Sequence, residues 1–226
     1  MPRGDQDQRE AVTEADIGAL RRAAEQPVEA GAADRGAVAR DLALAFSDYP
    51  MFRWFMRTDA RREPALHSFF RTLTAGALAE GNLILRPSTG GAASVWVASE
   101  TIREAAFWEN LRGLPMMLQA TGLARFPRIA SLRKAMDLHH PMARPHAYLW
   151  LLGVTPAAQG KGVGSRLLSA GLARVDAQRR PAFLETSTEA NVALYRRHGF
   201  EVIDEYWVRP DSPPSWAMWR EPQAGD

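Results

Sequence analysis

Along the first part of the chain, apolar positions recur with a helical period. Residues 37–46 set Val38, Leu42, Ala45 and Phe46 on one helix face, and Ser47-Asp48-Tyr49-Pro50 stops the period. Residues 61–80 repeat the pattern with Leu66, Phe69, Phe70, Leu73 and Leu78, and Gly81 stands where a helix C-terminus favours glycine. Residues 82–86 and 92–98 read as two strands joined by a Gly-Gly turn. The stretch 101–137 is predicted to be largely helical, with breaks at Gly113, Pro115 and Pro127. Upstream, 13–25 offers a helix with a thin apolar face at Ile17 and Leu20, and a short strand is expected within 27–31.

The last third changes pattern. Ala147 to Val154 is a nearly unbroken apolar run, short and aromatic enough to be a buried strand. A Gly-rich loop follows, then a helix over 165–178 with Leu167, Leu168, Leu172 and Val175 on one face. Residues 181–186 form a second apolar strand, so the unit is a parallel βαβ crossover of right-handed sense. A helix over 189–198, a strand over 200–208, a Pro-Asp-Ser-Pro-Pro turn and a strand over 216–220 complete the chain. The sum is an α/β fold: a mixed, twisted sheet of about six or seven strands with helices on both faces.

Composition narrows the function. The chain has 226 residues, 46% of them hydrophobic, enough for a core of ordinary size. A net charge of +2 with no dense basic block argues against a nucleic-acid partner. The absence of cysteine excludes disulfides, thiolate metal sites and a Cys nucleophile. The five histidines lack ligand spacing, so no metal is expected; His139-His140-Pro141 reads as a loop. Residues 1–10 lack the apolar core of a secretory signal, and no apolar run reaches the roughly 18 residues of a membrane helix. A cytoplasmic location and no membrane partner are the expectation.

The loop Gln159-Gly160-Lys161-Gly162-Val163-Gly164-Ser165 lies between a strand and a helix N-terminus. Glycines there let backbone N–H groups crowd an anion, and the helix start adds its own unpaired donors. Phosphate binding is the expectation. A Walker A loop fails, because Thr155 stands where its first glycine belongs and Gly162 follows the lysine. A dinucleotide fingerprint lacks its third glycine, at Ser165.

The loop, preceded by Val154-Thr155-Pro156, resembles motif A of the GNAT superfamily of N-acetyltransferases. The segment Asn191-Val192-Ala193-Leu194-Tyr195-Arg196-Arg197-His198-Gly199-Phe200 resembles its Asn-x-x-x-Tyr-x-x-x-Gly-Phe motif. Residues 45–50, 181–187 and 216–218 are further similar to puromycin N-acetyltransferase and its relatives. The likeness is dense after Ala147 and thin before it. It implies a GNAT domain over 27–221, an N-terminal extension over 1–26 and a short tail over 222–226. It also implies acetyl-CoA as co-substrate, a small-molecule amine as acceptor, and direct attack in a ternary complex. Protein N-acetylation and a non-catalytic acyl-CoA-binding module are the alternatives.

By the same resemblance, the amides from Gln159 through Gly160, Lys161, Gly162, Val163 and Gly164 to Ser165 bind the pyrophosphate. The preceding strand splays from its neighbour and pairs with the pantetheine arm near Leu152 and Val154, and the Val154 N–H serves the oxyanion. Asn191 contacts the pantetheine, and Tyr195 is the general acid for the departing thiolate. Glu185, at the end of the second crossover strand, is the first candidate base, with Glu109 a weaker one; a strand-end carboxylate paired with Arg, and a bulk-water route with no dedicated base, are the alternatives. Lys161 reaches for phosphate or solvent, and Arg166 for solvent. The aromatic run Tyr49, Phe52, Trp54 and Phe55 either lines an acceptor pocket or packs as core.

Overall fold

The computed structural model describes residues 14–104 and 114–223. The strands are β1 (Val28–Glu29), β2 (Leu83–Arg86), β3 (Ala92–Ala98), β4 (Ala147–Val154), β5 (Ala182–Thr186), β6 (Glu201–Trp207) and β7 (Pro214–Arg220). They form one sheet in the order β1-β2-β3-β4-β5-β7-β6. Only β4 and β5 run parallel, joined by the crossover; the other neighbours are antiparallel. The expected α/β architecture therefore holds, with seven strands.

Helices α2 (Arg35–Phe46), α3 (Pro50–Phe55), α4 (Arg62–Ala79) and α6 (Leu114–His139) cover one face of the sheet. The short α5 (Ser99–Glu104) follows β3. Helices α7 (Val163–Ala177) and α8 (Glu189–Arg197) cover the other face. The N-terminal helix α1 (Glu14–Glu25) packs on that second face, where Ile17 and Ala24 are fully buried against Leu85, Ala92, Val163 and Leu167. Its apolar stripe is narrow but entirely used.

One departure from expectation falls in α6. The helix breaks at Gly122 (φ 66°, ψ 169°), while Pro127 is accommodated inside it and Pro115 stands at its start. A proline's fixed φ fits a helix start, whereas a positive φ at Gly122 cannot be helical. Gly113 and Glu109 lie outside the described residues. His139 is the last residue of α6, and His140 follows in the turn that leads to Pro141, its N–H still donating to the Met136 carbonyl at 2.9 Å.

Two close contacts fix the frame around β4. Glycine at 153 lets α2 lie against the strand: a Cβ there would stand 2.9 Å from Ala45 and Leu42. On β7, Arg220 makes two bonds to Asp176 of α7, at 2.6 and 2.7 Å, with only 4% of the Arg side chain exposed. Its Nε donates to the His198 carbonyl after α8, so one guanidinium ties strand and both helices of this face together.

Candidate active site

The site begins with a defect in the sheet. β4 pairs with β5 only over Ala147 to Leu149, while its pairing with β3 continues to Val154. The cause is local. Leu149 and Leu151 oppose the adjacent residues Trp96 and Val95, so Trp150 is an extra residue, a β-bulge that bends the strand away. Past the bulge, Thr155 N–H donates to the Gly91 carbonyl at 2.9 Å. Antiparallel pairs alternate between bonded and unbonded, so Leu152 and Val154 turn their backbone groups to the side that β5 has left. The end of the β4–β5 pairing at Leu149 is a splay of the kind the family resemblance implies.

The Gly-rich loop sits at the end of that opening. Gly160 and Gly162 adopt left-handed backbone (φ 71° and 79°), and Gly162 is the residue from which α7 starts. The first amides of α7 have no carbonyl one turn back, so they point from the helix start as donors. No heavy atom lies within 4 Å of a Cβ built on Gly160, so that face of the loop is open. This donor set fits a pyrophosphate. Several loop side chains turn elsewhere. Gln159 donates its amide to the Val154 carbonyl at 2.9 Å, holding the loop to the strand. The Ser165 hydroxyl lies 2.7 Å from His198 Nε2. The Lys161 carbonyl accepts from Arg21 Nε at 2.6 Å. Arg166 is not simply solvated: it pairs with Glu25 at 2.7 Å and donates to the Gly162 carbonyl at 3.1 Å. Helix α1 thus braces the loop from outside.

A cleft runs from the splay into the helical face. All four tyrosines of the chain line it: Tyr49, Tyr148, Tyr195 and Tyr206. Glu185 lies among them. It accepts from the Tyr148 hydroxyl at 3.0 Å and from the Tyr206 hydroxyl. Burial pushes its carboxyl above the ordinary carboxylate range, against the pull of those two donors and of His139. Behind Tyr206 stands His139, stacked ring on ring at 3.8 Å, with its Nδ1 2.5 Å from Asp204.

Glu185 and Phe183 belong to the face of α2, α3, α4 and α6, because alternate β5 residues point to opposite sides. Tyr195 belongs to the other face, packed edge-on to Phe200 with 5.8 Å between centroids. Both line the same cleft because the splay joins the two faces. Burial raises the Tyr195 hydroxyl's pKa, so it keeps its proton at neutral pH. Asn191, one helical turn before it on α8, also lines the cleft. Tyr49 anchors the end of β5, accepting from Ser187 N–H at 2.6 Å and lying 3.1 Å from Thr186 Oγ1.

The structure thus brings Glu185, Tyr195, Asn191 and Leu152 to one cleft, with the Gly-rich loop beyond Val154. It divides the aromatic run: Tyr49, Phe52 and Phe55 line the cleft, while Trp54 packs under Arg128 with 5.0 Å from guanidinium to ring. Tyr148, Tyr206 and His139 carry no motif in the sequence and are found only by folding. The one available signal was the scarcity of tyrosine beside seven tryptophans. Among the described residues, no group of three or more His, Cys, Asp or Glu is placed to hold a metal, and no helix is long and apolar enough to cross a membrane.

Beside this geometry, a splayed parallel pair above a phosphate-type loop, residues 129–202 match the family model described as an acetyltransferase (GNAT) domain. The chain shares the fold of solved acetyltransferases. A mycothiol acetyltransferase of Paenarthrobacter aurescens (strain TC1) is 39% identical over 67 residues, which is 27% of this chain and 21% of that protein. The chain therefore matches about a fifth of that relative's length. Similar folds include a histone acetyltransferase HPA2 and related acetyltransferase from Corynebacterium glutamicum, with TM-score 0.63 and 24% identity over 88% of this chain and 97% of that one. Arylalkylamine N-acetyltransferase 2 of Aedes aegypti follows at 0.58 and 13%, covering 87% and 98%. The polyamine N-acetyltransferase of Drosophila melanogaster, which forms N-acetylagmatine, follows at 0.55 and 14%, covering 86% and 98%.

Proposed function

We propose that the protein transfers the acetyl group of acetyl-CoA to the primary amine of a small molecule, by direct attack in a ternary complex. The observation that carries this reading is the meeting of Glu185 and Tyr195, from opposite faces of the sheet, at the β4–β5 opening. In this reading the loop amides from Gly160 to Ser165 hold the pyrophosphate, and the backbone edge that β5 leaves uncovered at Leu152 and at the Val154 N–H faces the pantetheine and thioester, the Val154 carbonyl being held by Gln159. Asn191 borders that arm. The amine enters from the face of Glu185.

Glu185 takes the proton that the amine must lose. The nitrogen lone pair then forms the N–C bond at the thioester carbonyl, and the Val154 N–H supports the oxyanion. Collapse breaks the C–S bond, and Tyr195 gives its proton to the departing thiolate. The raised pKa of Glu185 suits a base acting near neutral pH, and the protonated Tyr195 suits an acid. No covalent acetyl-enzyme is required, which agrees with a chain without cysteine.

The test is release of free thiol from acetyl-CoA with a panel of amines, including monoamines, diamines, puromycin and a peptide with a free N-terminus. Thiol release that depends on a small amine is expected. Release with the peptide alone would favour protein acetylation. Binding of acetyl-CoA without release for any acceptor would reduce the domain to an acyl-CoA-binding module.

A further inference from the structure

We propose that the acceptor is a monocationic amine on an aromatic or bulky apolar body, and that dications of the agmatine kind fit poorly. This rests on reading the cleft as the amine site, and it names the class of molecule the cleft takes.

On the helical face, Phe46, Phe52, Phe55, Phe69, Leu132 and Met136 build the wall. Among the described lining residues, Glu185 alone carries a formal charge. Each of its oxygens already accepts one phenol, Oε2 from Tyr148 and Oε1 from Tyr206. A carboxylate offers about four lone-pair sites, so about two remain. They suffice to orient one ammonium. A second cation farther along the ligand would face mainly rings and aliphatic chains, with no second carboxylate among the described lining residues to pair with it. A charge buried without a partner is strongly disfavoured.

The apolar wall also has a centre. The Phe52 ring lies 5.0 Å from Phe46, 5.0 Å from Phe55, 5.3 Å from Phe70 and 5.9 Å from Phe69. It remains partly exposed to the cleft while its neighbours Phe55, Phe69 and Phe70 are buried. A ring on the ligand would extend this cluster in the edge-to-face or offset manner that aromatic pairs prefer. Phe52 is then a specificity residue: it measures the body of the amine, and Glu185 holds its charge.

Titration calorimetry on coenzyme A-saturated protein tests this with three probes: phenethylamine, n-propylamine and agmatine. Phenethylamine is expected to bind at least about tenfold more tightly than either of the others. Phe52→Ala is expected to remove most of that preference while leaving n-propylamine unchanged, and Phe52→Leu to restore part of it. Agmatine binding as tightly as phenethylamine would overturn the proposal. So would a preference untouched by Phe52→Ala, or binding of none of the three. Selective binding of phenethylamine with no thiol release contradicts the catalytic reading alone and supports the ligand class. Thiol release led by agmatine contradicts the ligand class alone.

Discussion

Glu185 and Tyr195 owe their raised pKa values to the same cause, burial, yet the consequence differs. In the proposed reaction, the phenol is then an acid that keeps its proton at neutral pH. For the carboxyl, in the same proposed reaction, it raises the basicity of the group that takes the amine's proton. Replacing Tyr195 by Phe removes only the hydroxyl and keeps the edge-on contact with Phe200. Turnover is expected to fall by about 10²- to 10⁴-fold, with coenzyme A affinity nearly intact, because the proton moves only during reaction. Steady-state kinetics beside a coenzyme A titration check this; a loss within about twofold makes Tyr195 a packing residue. Glu185 must be ionised to act, so the acid limb of kcat/KM is expected above the ordinary carboxylate range, and to vanish in Glu185→Gln. A pH–rate profile decides. At this scale the sequence was partly legible. Tyr195 and Asn191 stand in a motif, and Glu185 ends a strand. Tyr148, Tyr206 and His139 come from β4, β6 and α6, and no local pattern marks residues that only tertiary contact assembles.

Elements with one dominant signal were read well. β4 and the crossover strand β5 are short apolar runs with clear stops, and β4 spans the residues its pattern predicts. The bulge at Trp150 was not legible, because an unbroken apolar run has no alternation whose slip could be seen. Yet the bulge bends the strand and opens the site. The break in α6 was misplaced for a related reason. Proline is the louder marker, but at Pro127 the helix absorbs it and the turn falls at Gly122. The start of α7 gives a test at this scale. Gly162 has φ 79°, a conformation Asp tolerates better than most side chains, and the atom a Cβ would crowd is the movable end of Arg166 at 2.6 Å. Gly162→Asp is therefore expected to fold and to set a carboxylate against the pyrophosphate. At about 4 Å and an effective dielectric near 20, like charges repel by about 4 kcal/mol, so coenzyme A affinity falls at least about tenfold. Calorimetric titration of a folded variant with unchanged affinity would mean the loop holds no phosphate.

The whole molecule is a sheet read from two sides, and its two halves meet at one cleft. Helix α1 extends this logic, since the thin apolar face expected at 13–25 packs on the second face of the sheet, with Ile17 and Ala24 buried and Leu20 partly so. Stability has its own pH dependence. His140 and His146 contact each other at 2.9 Å between Nε2 atoms, beside Phe183. Burial lowers the His140 pKa to about 4 and lowers that of His146 as well. Both are neutral in the fold at pH 7, while an unfolded imidazole titrates near 6.5. A depressed folded pKa means the unfolded chain binds more protons at intermediate pH, so stability is present above about 6.5 and is lost as pH falls towards about 4. Melting temperature is expected to drop between pH 7 and pH 5, and to drop less in His140→Phe; equal drops would remove the pair from the account. The central claim, that an amine and a thioester meet across the β4–β5 opening, has a more direct test. A conjugate joining the preferred amine to the coenzyme A sulfur through an acetyl bridge spans both sides of the sheet. By equilibrium titration it is expected to bind at least about 10²-fold more tightly than coenzyme A, as mimics of a reacting complex do, and to lose that advantage in Glu185→Gln. A conjugate that binds no more tightly than coenzyme A itself would contradict the claim.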